Sequence, residues 1–238
     1  LTGVAIPARV KVLLCFVMAA ALFGLVRPTI PVSLPGDAFS FAALAVSEVA
    51  VGVVIGLLAL LPVVAVQLGG VIMGQQMGLS LATVYDPSTE NESEVTSELL
   101  LQGAMIIFIL FGGLETLFLS VARSFAGVPV GGAVWSEQAP AAMRLVAGLL
   151  GTGFELALRV STPVLGIIFV ETLATGMVMK TMPQMNIMSI GFGLKVLLGL
   201  GALVLALHAI DDAVGEHLTA AGHALLDWPA APQRGGGG

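Results

Sequence analysis

Long apolar runs separated by short polar or proline-bearing connections make up most of the chain. Val10 to Val26 predicts a helix at the lower edge of membrane-spanning length, ended by the connection from Arg27-Pro28 to Pro35-Gly36-Asp37. From Phe39 to Val66 the only charge is Glu48. As one helix this run would reach about 42 Å, beyond a hydrocarbon core of roughly 30 Å, so it tilts, kinks at Pro62 or leaves the bilayer. Leu99 to Ala122 predicts the next apolar helix, with Glu115 inside it. Ala141 to Met179 exceeds one simple span, and Pro163 with Gly148, Gly151, Gly153 and Gly166 predicts two antiparallel segments. A last apolar helix, from Ile187 to about Ile210, closes a helical domain over residues 1–210. Residues 211–238 read as a weakly amphipathic tail whose Gly-rich end, Pro229 to Gly238, is expected to be disordered.

After Val66 the pattern changes. Gly70, Gly74 and Gly78 recur every fourth residue and leave a bare stripe on one helix face, which lets another backbone approach closely. Gln75, Gln76 and Ser80 bring amides and a hydroxyl to the end of this apolar run, and Asp86-Pro87 marks a turn. Asp86, Glu90, Glu92, Glu94 and Glu98 gather in the same connection, which must be solvated or face a polar surface. Met73, Met77 and Leu79 read, on residue type alone, as packing, because Met fills irregular cores.

Composition sets the class. The 238 residues are 57% hydrophobic and 10% charged, with a mean hydropathy of +1.03, which is the composition of a polytopic membrane protein. A net charge of −6 with 9 Lys and Arg leaves no basic stripe for phosphates, so nucleic acid is excluded as a partner. Cys15 is alone and supports neither an intrachain disulfide nor a thiolate metal cluster. Arg9 and Lys11 before an apolar run look like a signal peptide, but no A-x-A site precedes a polar mature domain, so the segment reads as a retained helix.

Charges inside apolar segments are the next signal. Glu48, Glu115, Glu155, Arg159, Glu171 and Lys195 would each cost about 2.5–3.5 kcal/mol at a bilayer centre. Glu155 and Arg159 can pair across one helical turn, and Glu171 and Lys195 are the candidates for a pair across helices, with a packed ion pair favoured over a proton relay. The basic residues Arg9, Lys11, Arg27, Arg123, Arg144 and Lys180 do not alternate between connections, which fits hairpins that do not all cross the bilayer.

No G-x-S-x-G elbow, H-E-x-x-H pair or glycine-rich phosphate loop followed by Lys is present, so no enzyme, cofactor or metal site is expected. His208, His217 and His223 read as surface or interfacial residues rather than metal ligands. An independent secondary transporter, with its broken helices and buried charges, is the alternative of a different class.

The stretch from Gly70 through Gly74, Gln76-Met77-Gly78-Leu79-Ser80 and Ala82 to Asp86-Pro87 resembles the G-x-x-x-G-x-Q-M-G-L-S-x-A-x-x-x-D-P signature of the R-type flagellar export-gate proteins, the FliR family. Their counterparts, the SctT components, serve type III secretion systems. A second run, Pro183-Gln184, Asn186, Gly191-Phe192 and Lys195, resembles the family's A-P-Q-x-N-x-x-x-x-G-F-P-L-[KR]. Ile6 to Lys11 is similar to its P-x-R-V-K turn, which usually follows a further hydrophobic segment, so a helix upstream of Leu1 is expected. Ser124-Phe125, Pro129 and Gly131 are similar to its S-F-x-x-x-P-x-G ending. This chain departs at Met182, where Ala is usual, at Gly193, where Pro is usual, and at Leu114, where some relatives carry His.

The resemblance covers about Val4 to Ile210 and implies an all-α membrane protein of long, bent helical hairpins in a hetero-oligomeric helical export gate. Its implied partners are P- and Q-type gate subunits (FliP and FliQ families), the B- and A-type export components (FlhB and FlhA families), unfolded exported proteins and lipid. Its implied place is the bacterial inner membrane at the flagellar basal body. By the same resemblance Met73, Gln75, Gln76, Met77, Gly78, Leu79, Ser80, Asp86 and Pro87 lie toward the pore and close it at rest. The methionines and Leu79 would then form a deformable apolar seal.

Overall fold

A computed structural model describes residues 7–25, 37–79, 95–127, 138–181, 191–204, 215–216, 220 and 223, and every described regular element is an α-helix. Helix α1 (Ala8–Leu25) starts at Pro7, whose carbonyl accepts from the Val10 and Lys11 amides at 2.9 and 3.3 Å. Leu22 is buried, whereas Phe16, Val17 and Phe23 face outward.

Helix α2 (Ala38–Met77) is one continuous element of 40 residues, about 60 Å long. At its start the Asp37 carboxylate accepts from the Ser40 amide at 2.9 Å and from the Ser40 hydroxyl at 2.8 Å, satisfying a free first-turn donor. Both bonds hold the carboxylate below the usual Asp range, the backbone bond contributing most. Pro62 sits inside α2 without ending it, and the helix runs past Val66 to a left-handed cap at Gly78 (φ 80°). There the Gly78 amide donates to the Gln75 carbonyl and the Leu79 amide to the Gly74 carbonyl, each at 3.1 Å. This Schellman pattern satisfies carbonyls that the helix end would otherwise orphan.

Two expectations are corrected. Leu99 to Ala122 is not one helix: α3 (Val95–Leu110) and α4 (Gly113–Gly127) meet at Phe111-Gly112, bent by 63°. Gly112 takes φ 71°, a left-handed conformation that ends a helix and that L side chains rarely adopt. The break also moves Glu115 from an apolar interior into the first turn of α4, where the helix dipole favours a carboxylate. The second correction is α5 (Gln138–Thr181), a single helix of 44 residues, about 66 Å, and not two antiparallel segments. Among the described residues only Gly78 and Gly112 have positive φ, so the glycines of α5 keep helical dihedrals. A backbone in lipid has no other way to pair its polar groups. Hydroxyls in the run turn onto their own helix, as Ser161 and Thr162 do onto the Leu158 carbonyl at 3.1 and 2.6 Å.

Helix α6 (Gly191–Val204) is the described part of the last apolar segment. Helix α2 packs chiefly on α5 and α3. The main core joins Val66, Met73 and Met77 of α2 with Leu100 of α3, Val160 and Val164 of α5 and Leu203 of α6. A smaller cluster around Val51, Ile55 and Leu58 packs against Leu117, Val121 and Leu149. Among the described residues, two helices, Ala38–Met77 and Val146–Thr181, are long and apolar enough to cross a membrane, and the bent pair makes a third if it acts as one span. The chain is an all-α membrane protein.

Candidate functional site

The last three turns of α2 lead into the segment on which the sequence signature falls. Gly70 lies against the start of α3: a Cβ there would stand 2.5 Å from the Ser97 Cα, and the Thr96 hydroxyl donates to the Gly70 carbonyl at 3.1 Å. The close approach expected of the glycine stripe is therefore made at Gly70, backbone against backbone. Gly74 is also buried, and Gly78 serves as the cap.

One turn further on, Met73 and Met77 are 0% exposed within the chain's own core, while Gln75 and Gln76 are exposed and Leu79 is half-buried. Met77 rests on α6, where a Cβ at Gly199 would come within 2.6 Å of its Cγ and 2.9 Å of its Sδ. The end of α2 is thus seated on α3 through Gly70 and on α6 through Met77. Ser80, Asp86, Pro87, Pro183, Gln184 and Asn186 lie outside the described residues. Of the second motif, Gly191 begins α6, where a Cβ would sit 3.6 Å from the Thr175 methyl, and Phe192 is exposed.

Helix α6 also meets α5 through charge. Glu171 is buried, its side chain 1% exposed, and its Oε2 lies 4.0 Å from Lys195 Nζ. Its Oε1 accepts from the Thr175 hydroxyl at 2.7 Å. The expected cross-helix pair is therefore present. Glu171 lines two open grooves, of about 330 and 530 Å³. The smaller is also lined by Met77, Gly78, Thr175 and Lys195, which puts it directly below the cap of α2.

The expected Glu155–Arg159 pair is corrected. Arg159 bonds Glu216 at 3.3 Å, with both side chains exposed, because residue 216 of the tail approaches this face of α5 and offers a second carboxylate. Glu155 is exposed on the same helix, and Glu48 is half-buried on α2. Two contacts were not foreseen, Met77 on Gly199 and Thr175 on Glu171. Both carry a signal in hindsight, since Gly199 and Thr175 stand four residues, one helical turn, after Lys195 and Glu171.

The family described as bacterial export proteins, family 1, matches residues 1–221. The chain belongs to that family. Among its relatives, the flagellar biosynthetic protein FliR of Escherichia coli (strain K12) is 30% identical, over 90% of this chain and 79% of its own length. The FliR protein of Bacillus subtilis (strain 168) is 28% identical, over 86% of this chain and 78% of its own. The secretion system apparatus protein SsaT of Salmonella typhimurium is 25% identical, over 72% and 65%. Within the export family this chain is a membrane component of the flagellar and type III kind, and its matched region extends into the tail that supplies Glu216.

Proposed function

We propose that this export-family chain is a non-enzymatic subunit of the gate through which unfolded flagellar proteins leave the cell. It forms and closes that gate together with P- and Q-type subunits in the inner membrane at the flagellar basal body. One observation carries the proposal: α2 and α5 are continuous apolar helices of 40 and 44 residues, about 60 and 66 Å, against a hydrocarbon core of roughly 30 Å. Lipid can cover about half of each. Of the most apolar stretch of α5 only 17% is buried within the chain, and of that of α2 only 44%. The apolar length that lipid does not reach needs protein neighbours, because apolar surface exposed outside the bilayer marks an interface.

In this role the motif that continues after Leu79 closes the pore at rest, and the Schellman cap at Gly78 with the buried Met73 and Met77 seats the helix end from which it leaves. The energy for export is supplied elsewhere, and the A- and B-type export components are its further partners in the assembly.

The test is the mass and composition of what is recovered with this chain on co-expression with the neighbouring P- and Q-type proteins. A defined mixed complex is expected. Recovery of this chain alone, folded and taking up a small solute, would replace the gate by an independent transporter. Deleting residues 80–85 should leave the complex assembled and the resting membrane leaky to small solutes. A membrane that stays tight with the complex intact would remove the closing role from this segment.

A further inference from the structure

We propose that Glu171 and Lys195 are positioning residues for the closed gate, a clasp that holds α6 on α5 and thereby holds the end of α2. The proposal rests on the gate role given above. One face of α6 makes all the contacts that matter, at the spacing of a helical turn: Gly191 meets Thr175, Lys195 meets Glu171, Gly199 meets Met77, and Ala202 and Leu203 enter the core. Helix α6 therefore bridges α5 to the last turn of α2. If α6 moves, Met77 loses its floor, and the cap that aims Leu79 moves with it.

Two junctions hold the end of α2, and they differ in kind. At Gly70 the fit is backbone on backbone, with no room for even a methyl group. At α6 the fit is made by a flexible Met side chain and by an ion pair at 4.0 Å, the Lys partner 31% exposed. Open grooves of about 330 and 530 Å³ border Glu171. A close-packed interior cannot shift continuously, whereas a junction bordered by open grooves can change state. The carboxylate also has a second partner within its own helix, the Thr175 hydroxyl at 2.7 Å, and such a bond lowers the penalty of parting an otherwise buried charge. The clasp is thus the movable junction and Gly70 the fixed one.

The experiment uses the co-expressed complex with a small-solute leak assay and an export assay. Glu171→Gln and Lys195→Gln complexes are expected to assemble with unchanged composition and to leak about fivefold or more above wild type, the lower end of typical coupling between two sites. The exchanged pair, Glu171→Lys with Lys195→Glu, should bring the leak back toward wild type, which a purely steric role would not do. Gly199→Ala, which touches no charge, should leak likewise by displacing Met77. Single variants that assemble and stay tight would overturn the clasp.

A reversible lock covers the case in which the charge variants do not assemble. In a Cys15→Ser background, Thr175→Cys with Gly191→Cys joins α5 to α6 on oxidation. Export should stop in the oxidised complex and resume on reduction, with Thr175→Cys alone as control. Undiminished export through an oxidised lock would overturn the proposal. Deletion of residues 80–85 separates the two failures. If that deletion leaks and the pair variants do not, the clasp is wrong and the gate stands. If neither leaks, the closing role falls and the clasp with it.

Discussion

The two halves of α2 share one helix and almost one composition, yet they live in different surroundings. From Phe39 to Leu57 the large side chains Phe39, Phe41, Val46, Val49 and Val53 point away from the rest of the chain. From Leu58 to Met77 the helix is packed on α3, α5 and α6, and Leu58, Met73 and Met77 are completely covered. Hydrophobicity alone does not separate these halves. What separates them is the small residues: Gly69 and Gly70 meet other helices, whereas a Cβ at Gly52 or Gly56 would meet nothing within 4 Å. The inner half carries most of the chain's own core, and the outer half leaves its large side chains uncovered by this chain.

The sharpest way to break this contrast is Met73→Ala in the inner half. A fully buried Met leaves a cavity, and the loss should be about 2–5 kcal/mol, read as a lower unfolding midpoint in mixed micelles. Gly70→Ala follows, with a loss of about 1–3 kcal/mol, since its methyl would meet the Ser97 backbone, which cannot swing aside. Gly56→Ala in the outer half should have the opposite sign, a gain of about 0.5–1 kcal/mol from helix propensity in the chain alone. If the same change weakens the assembled complex, the outer half is a protein interface, and if it strengthens both, that half faces lipid.

The smallest effect is at the outer end. The Asp37 carboxylate titrates below its ordinary value because it accepts from the Ser40 amide and hydroxyl. A lowered folded-state value means that the cap contributes fully above the unfolded value of about 3.8 and is lost as pH falls through the folded one. Helix content near the start of α2 should therefore drop slightly below pH 4, and Asp37→Asn should remove the pH dependence while keeping a cap.

Much of this was legible from residue types. The glycine spacing announced the close contact at Gly70, and the isolated charges announced Glu171 with Lys195, because an ion in an apolar run must find a partner. Three features were not legible, for separate reasons. Proline and glycine mark ends in water, but in lipid the backbone has no alternative hydrogen-bond partner, so α5 runs through Pro163 and its glycines unbroken. The true break at Gly112 depends on a dihedral angle, and its only trace is the Gly112-Gly113 pair. The partner of Arg159 comes from residue 216, too far along the chain for local spacing to indicate. The closing role proposed for the segment after Leu79 rests on its motif alone.

The length of α2 and α5 has a consequence for how the protein is made. The uncharged run from Val49 to Met77 of α2, longer than the bilayer is deep, has little preference for depth, since sliding it by one turn trades one apolar residue for another, whereas the charges along α5 resist such sliding. A newly inserted chain thus takes its depth and tilt from whichever neighbours have already arrived. The order in which neighbours arrive then becomes part of the structural information.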